Sequence, residues 1–314
     1  MRRSIAKDIS YSSSARSRPG RAMIRLMENA TGRLGLIRRA AGYEREMAEG
    51  DDFWRVMTRR YGLSLKIEGG SFDNLPETGP LVVVANHPYG ILDGLVLGSI
   101  LQGLRGDFRI LAHRVFRRAA ELDRVILPIN FDETKAAVAE NLRTRVEALE
   151  YLKAGGAIGI FPGGTVSTAA TPFARPMDPV WRNFTGKLIA KSDATVVPIY
   201  FDGQNSRLFQ VASHLHYTLS MGLLIREFRA RIDQPVRLVI GRPIPKAEID
   251  ARRGDATAMM DFLRKATYDL SPTPLASYGY GYEFEEKYRS RADHPGVEDG
   301  SRHIRFGARG AHGI

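Results

Sequence analysis

The residues of this chain that are best suited to chemistry follow two short apolar runs. The first run, residues 81–85, is typical of a buried strand and leads into Asn86 and His87, with Asp93 six residues after the histidine. Histidine can act as a base near neutral pH, and a nearby carboxylate could fix its tautomer. A spacing of six does not bring two side chains to one helix face, so the chain must turn between them, and Gly90 allows a turn. The pattern alone also permits a purely structural histidine.

The second apolar run, residues 157–161, ends in a glycine-rich turn that carries hydroxyl groups. Gly163 and Gly164 leave backbone N–H groups uncovered by side chains, and Thr165 and Ser167 add hydroxyls. This combination could hold a phosphate or a developing oxyanion, although Pro-Gly-Gly can also be a simple turn. Because a parallel sheet presents its chemistry at the carboxyl ends of its strands, the two runs together predict one active site.

Beyond these turns, the sequence offers basic and histidine side chains for binding. Arg175, Arg182 and Lys187 could neutralise a head-group or donor phosphate, with Arg182 the preferred candidate, or they could be ordinary surface charge. His214 and His216 lack a Cys or carboxylate partner at metal-site spacing. The sequence therefore predicts no metal centre.

Predicted strands and helices alternate along the chain, and they position these residues. The strand-like runs are 63–67, 81–85, 108–111, 125–129, 157–161, 195–201 and 236–240. Helical segments are predicted at 134–153, where Val138, Leu142, Val146, Leu149 and Leu152 form one stripe, and at 181–192 and 256–270. Alternation of this kind predicts an α/β fold with a mostly parallel sheet flanked by helices.

Composition narrows the class of protein. The chain has 314 residues, enough for one large domain, and contains no Cys, which excludes disulfides and a Cys acyl-enzyme. The net charge is +11, and residues 1–45 hold eleven Lys or Arg against three acids. Such a segment suits a polyanion, either an anionic membrane or a nucleic acid. No apolar run approaches the roughly 18 to 20 residues that span a bilayer.

These patterns divide the chain into four parts. Residues 1–20 are predicted to be a disordered basic tail, 21–59 an N-terminal helical extension, 60–272 the catalytic domain, and 273–314 a flexible tail. In the extension, an apolar stripe lies among arginines, which is typical of a helix at a membrane surface. A helix docked on the protein's own core is the alternative. The stripe consists of Met23, Met27, Ala30, Leu34 and Ile37.

The two turns also resemble a known family. The element from Asn86 and His87 to Asp93, followed by Phe-Pro-Gly-Gly-Thr at residues 161–165, is similar to motifs I and III of the glycerolipid acyltransferases, the 1-acyl-glycerol-3-phosphate acyltransferase superfamily. The resemblance is greatest to the bacterial hemolysin-like branch, which acts on lysophospholipids or lyso-ornithine lipid. It covers roughly residues 60–270, and the strand with Pro198 stands where that family has motif IV.

Two departures from the family pattern are informative. Five residues separate His87 from Asp93 where the usual motif has four, a longer form that the hemolysin-like branch shares. Gly163 replaces the usual Glu of motif III, which in the family helps to hold the acceptor. This replacement implies an acceptor other than glycerol-3-phosphate.

The resemblance implies a reaction and roles for its residues. His87 would be the general base that takes a proton from an acceptor hydroxyl as it attacks a thioester, and Asp93 would stabilise the imidazolium. The donor would be acyl-ACP or acyl-CoA as co-substrate with no cofactor, and the acceptor a lysolipid. The enzyme would be peripheral, on an anionic membrane at the cytoplasmic face of the inner membrane. The residues expected to line the substrate are Asn86, Gly90, Gly163, Gly164, Thr165, Ser167 and Arg182.

Two other classes of protein remain as alternatives. A basic nucleic-acid-binding protein would explain the charge, but that charge lies mainly in the extension and no recognition motif is present. The sequence therefore predicts no nucleic-acid partner. A lipid hydrolase could use water at the same histidine, but the usual Gly-x-Ser-x-Gly elbow is absent.

Overall fold

A computed structural model describes residues 9–15, 17–113, 120–130 and 134–283. Its centre is a seven-stranded sheet with the strand order β1-β9-β8-β2-β5-β3-β4, and helices cover both faces. The α/β prediction is confirmed. The strands, with a separate β6–β7 hairpin, are β1 (Ser64–Gly69), β2 (Leu81–Ala85), β3 (Arg109–His113), β4 (Ile126–Ile129), β5 (Ala157–Ile160), β6 (Thr168–Ala169), β7 (Pro176–Met177), β8 (Thr195–Phe201) and β9 (Pro235–Ile240).

The direction of the strands determines where the loops meet. β8, β2, β5, β3 and β4 run parallel to one another, whereas β9 is antiparallel to β8 and parallel to β1. The carboxyl ends of β2, β5 and β8 therefore lie side by side at one edge of the sheet. We call this edge the carboxyl edge.

Helices fill the remaining positions of the alternating pattern. They are α1 (Arg18–Thr31), α2 (Arg33–Ala40), α3 (Tyr43–Ala48), α4 (Phe53–Arg60), α5 (Ile91–Arg105), α6 (Ala120–Asp123), α7 (Lys135–Lys153), α8 (Asn183–Ile189), α9 (Arg207–Leu215), α10 (Tyr217–Arg229), α11 (Lys246–Asp250) and α12 (Ala256–Tyr268). No helix of the described residues is long and apolar enough to cross a bilayer.

The core occupies both faces of the sheet. In β2, Leu81, Val83 and Ala85 belong to the cluster on one face, and Val82 and Val84 belong to the cluster on the other. All five are fully buried, which explains why this strand is a continuous apolar run and not an alternating one. The strand that carries His87 is thus held on both sides.

Most of the apolar stripe predicted for helix α7 does not face the core. Ala137, Ala148 and Leu152 are buried, whereas Val138 and Leu142 are exposed. Small residues lie on the buried side, so the helix lies close to the rest of the domain. Most of its larger aliphatic side chains remain at the surface.

The predicted disorder of residues 1–20 is wrong for residues 9–15 and 17–20, which the structure describes. Ser12–Ser14 form a 3₁₀ turn, and the buried carboxylate of Glu28 in α1 accepts hydrogen bonds from Ser10 Oγ (2.6 Å) and Tyr11 N (2.5 Å). The segment is polar in composition, but its partners lie far away in sequence. Residues 1–8 and 16 fall outside the described residues.

The predicted flexible tail of residues 273–314 also needs correction. Leu275 and Tyr278 pack against a cluster that includes Tyr200 of β8, and Gly281 N donates a hydrogen bond to Asp178 O (3.0 Å). The chain therefore continues along the domain as far as the described residues extend, to residue 283. Residues 284–314 lie outside them.

Candidate active site

Asn86 ties the end of β2 to the end of β8. Its side-chain amide donates to Phe201 O (3.0 Å) and its Oδ1 accepts from Phe201 N (2.7 Å), and the side chain is buried. Both polar atoms of the amide are therefore used within the protein. Asn86 positions the next residue, His87, and does not itself present a polar group to a substrate.

His87 and Asp93 are brought together as the sequence predicts. Their Nδ1 and Oδ2 atoms lie 3.0 Å apart, with the oxygen off the axis of the Nδ1–H bond, so the contact is an electrostatic pair rather than a well-aligned hydrogen bond. The chain turns at Gly90, whose φ of 91° is accessible to glycine at little cost. This turn starts α5 and places Asp93 in its first turn.

The carboxylate of Asp93 is fully buried and anchored to the turn. Its Oδ2 accepts hydrogen bonds from Tyr89 N (2.7 Å) and Gly90 N (3.0 Å). Burial raises the pKa of Asp93 above its ordinary value, and the contacts with His87 and with the two backbone N–H groups oppose that rise. The carboxylate can therefore orient the imidazole and stabilise its positive charge.

The imidazole of His87 has a route to a substrate. Its ring stacks on Phe161 from the end of β5, with centroids 4.3 Å apart and an interplanar angle of 26°, and its side chain is 18% exposed. In the part of the chain that the structure describes, Nε2 has no hydrogen-bond partner. This nitrogen is free to take a proton from a bound hydroxyl.

The glycine-rich turn after β5 lies beside His87, but most of its polar groups are engaged. Ser167 N donates to His87 O (2.8 Å), and Gly164 N donates to Phe161 O (3.0 Å) within a turn where Gly164 has a φ of 73°. Gly163 is buried, whereas Thr165 is partly exposed and its hydroxyl has no partner among the described residues. Of the two predicted hydroxyls, Thr165 is the one available to a substrate.

Asp178 joins the two loops, and sequence reasoning missed it. Its buried carboxylate accepts hydrogen bonds from His87 N (3.1 Å), from the hydroxyl of Ser167 and from Trp181 Nε1 (2.8 Å). A Cβ atom at Gly163 would contact it at 3.5 Å. Asp178 stands in no recognisable motif, so no local signal could have found it.

Tyr11 closes the site from the side of the N-terminal segment. Its hydroxyl oxygen accepts a hydrogen bond from Ile91 N (2.9 Å), the first residue of α5, and would lie 2.7 Å from a Cβ at Gly90. Burial raises the pKa of Tyr11 above its ordinary range. The N-terminal segment therefore contributes to the surroundings of Asp93, which the sequence did not indicate.

The three predicted basic residues have different positions. Arg182 NH2 lies 2.9 Å from Glu283 Oε2, and the two side chains are only 13% and 2% exposed, so the guanidinium is already paired with a carboxylate. Lys187 is exposed on α8. Arg175 is exposed and contacts the hydroxyl of Tyr200 (3.0 Å). Of the two arginines, Arg175 and not the preferred Arg182 is therefore open to a ligand.

The arrangement can perform proton transfer from a bound hydroxyl. A histidine paired with a buried carboxylate is combined with a partly exposed hydroxyl and a glycine turn at the same edge of the sheet. Within the described ranges, no group of three or more His, Asp or Glu side chains could hold a metal ion.

Known proteins with similar sequences share one description, that of an acyltransferase. A family model described as acyltransferase matches residues 13–275. A lyso-glycine lipid O-acyltransferase of Phocaeicola vulgatus is 28% identical over 216 residues, 66% of this chain and 74% of that protein. A protein of the same description from Bacteroides thetaiotaomicron is 27% identical over 217 residues, 66% of this chain and 76% of that protein.

A solved structure was also found. The crystal structure of the 1-acyl-sn-glycerophosphate (LPA) acyltransferase PlsC from Thermotoga maritima matches with a TM-score of 0.45 and 15% identity, over 84% of this chain and 87% of that one.

Proposed function

This chain belongs to the acyltransferase family, and on that premise we propose that it moves a fatty acyl group from a thioester to the hydroxyl of a lysolipid. The observation that carries the proposal is the pair of His87 and buried Asp93 at 3.0 Å, on the carboxyl edge of the sheet. A histidine base of this kind activates a hydroxyl nucleophile.

The reaction follows from the roles of these two side chains. His87 Nε2 takes the proton of the acceptor hydroxyl while the hydroxyl oxygen attacks the thioester carbonyl carbon. The imidazolium that forms is stabilised by the carboxylate of Asp93. The tetrahedral intermediate collapses, the carbon–sulfur bond breaks, and the leaving thiol receives the proton back from His87. The acceptor itself is the nucleophile, so no acyl-enzyme is required.

The acceptor is a lysolipid, with lyso-glycine lipid as the first candidate. The two lyso-glycine lipid O-acyltransferases that are similar to this chain support this choice, and so does Gly163, which lacks the side chain that the usual motif III carries. Lyso-ornithine lipid, lysophospholipid and lysophosphatidic acid are the other acceptors to compare. The donor is acyl-ACP or acyl-CoA.

The enzyme works as a peripheral protein on an anionic membrane at the cytoplasmic face of the inner membrane. The support comes from α1, which has two apolar sides. Ile24 is buried in the domain, whereas Met23 (49%), Leu26 (66%) and, in α2, Leu34 (49%) are exposed. Exposed aliphatic side chains on an arginine-rich helix suit a membrane surface.

A panel assay tests the proposal. Purified protein is incubated with labelled acyl-CoA or acyl-ACP and with each acceptor, including glycerol-3-phosphate, and the lipid products are separated. Labelled diacylated product should appear only when a lysolipid is supplied, and glycerol-3-phosphate should be a poor acceptor. Release of free fatty acid without a lysolipid would identify a hydrolase instead. Transfer that is as fast in His87→Ala as in the wild type would refute the mechanism.

A further inference from the structure

An open cavity of about 300 Å³ lies where β8 ends and β7 begins. It is lined by Arg175, Pro176, Asp202, Gly203, Gln204 and Thr273. A pocket of this size is at the small end of ligand sites, which run from about 300 to 1,000 Å³. Its size and its polar lining suit a compact polar group.

Two residues that line the cavity are close in sequence to residues that bind His87 or its neighbour Asn86. Pro176 lies in β7, which is followed at once by Asp178, the acceptor for His87 N. Asp202 follows Phe201, whose backbone N–H and C=O both bind the amide of Asn86. The cavity is therefore connected, through Asp178 and Phe201, to the loop that carries His87.

The charges of the cavity are not balanced. Asp202 Oδ2 lies 2.9 Å from Arg237 NH2, so this carboxylate has a counter-charge. Arg175 contacts only neutral groups, the hydroxyls of Tyr200 and Ser271, each at 3.0 Å. Among the residues that the structure describes, no carboxylate pairs with Arg175. The cavity thus presents one uncompensated guanidinium.

We infer that this cavity holds the head group of the acceptor and that Arg175 binds a carboxylate there. The inference rests on the proposed function. A guanidinium forms two parallel hydrogen bonds with a carboxylate. A phosphate monoester carries a charge of about −1.5 to −2 near neutral pH, which is more than one guanidinium balances. A small acyl-amino-acid head group with a single carboxylate satisfies both the size and the charge of the cavity.

The test compares two acceptors that differ only in the head-group charge. One is an N-acylglycine with a hydroxyl on its acyl chain, and the other is its methyl ester. In Arg175→Gln, the ratio of kcat/KM for the acid to kcat/KM for the ester should fall about 10- to 100-fold, as expected for loss of one charge-assisted contact. The control is Arg253→Gln, which removes the same charge near Thr195, at the opposite end of β8. It should leave the ratio unchanged.

A second variant tests the role of Asp202. In Asp202→Asn, turnover of lysophosphatidic acid relative to the N-acylglycine should increase, because Arg237 loses this carboxylate partner and the cavity gains a net positive charge. A wild-type ratio in Arg175→Gln, or a changed KM for the acyl donor with an unchanged acceptor ratio, would overturn the inference while leaving the proposed function intact. Absence of transfer to every lysolipid by the wild type would overturn both.

Discussion

Replacement of Asp93 by Asn separates the charge of this residue from its role in the turn. Asp93 Oδ2 accepts from Tyr89 N and Gly90 N, and an Asn can keep its carbonyl oxygen in that place. The turn and the orientation of His87 should persist. What is lost is a negative charge 3.0 Å from Nδ1 of His87. Replacing a charged partner with a neutral one weakens a polar contact by about 1–2.5 kcal/mol. We therefore expect kcat to fall about 10- to 100-fold.

The assay is steady-state acyl transfer to the best lysolipid of the panel, with His87→Ala and the double variant measured in parallel. His87→Ala should lose at least about 100-fold, the low end for a positioned base. If Asp93 acts through His87, the double variant should be no slower than His87→Ala alone. Multiplying losses would refute this coupling, and full activity of Asp93→Asn would show that the charge is not needed.

The same variant has a defined effect on stability. Burial raises the pKa of Asp93 in the folded protein, so the unfolded chain loses this proton at a lower pH than the folded one. The contribution of Asp93 to the free energy of unfolding therefore falls as pH rises from the ordinary value of 3.8 to the raised value. Asp93→Asn lacks this dependence. The thermal midpoint of the variant minus that of the wild type should increase with pH over this range, and a difference that decreases would contradict the sign.

Three further predictions concern the supports of the site and the surface. Asp178→Ala leaves three buried donors without an acceptor, which should cost about 3 kcal/mol or more in denaturant unfolding; a loss below about 1 kcal/mol would show that the two loops hold without it. Gly98→Ala places a Cβ 2.2 Å from an indole ring and should destabilise α5 by about 1–3 kcal/mol, whereas Gly103→Ala in the same helix meets nothing within 4 Å and should be neutral or stabilising. Equal effects of the two would exclude steric overlap as the cause. Replacing Met23 and Leu26 with Ser should weaken sedimentation with anionic vesicles while the thermal midpoint stays within about 2 °C, since both side chains are exposed; unchanged binding would place the membrane contact elsewhere.

The sequence was sufficient for the features that depend on local patterns. The central strands β2, β5 and β8 are continuous apolar runs because both faces of the sheet are covered there. A loop after each of these parallel strands must reach the same edge. For that reason the meeting of His87 with the turn at Gly163 was predictable. The reversed direction of β9 was not, because apolar runs do not encode strand direction.

The partners that complete the site could not be predicted because they are distant in sequence. Asp178 binds the backbone of a residue 91 positions earlier, and Tyr11 binds Ile91 across 80 positions. Arg182 appeared to be a free cation, but its partner Glu283 lies 101 residues further along the chain. The composition of residues 1–20 and 273–314 predicted disorder for the same reason. The residues that hold the described parts of these segments, such as Glu28 and Asp178, lie elsewhere in the sequence.

The pairing of β1 with β9 has a consequence for how the enzyme is made. The register places Ser64 opposite Pro235, about 170 residues later, and α1 packs on α10, which is also late in the chain. At a synthesis rate of about 5–20 residues per second, the first strand leaves the ribosome roughly ten to thirty seconds before its partner. During this interval of translation, the apolar sides of α1 and β1 thus have no partner from their own domain to pack against. The sheet can be completed only after residues 235–240 have been synthesised.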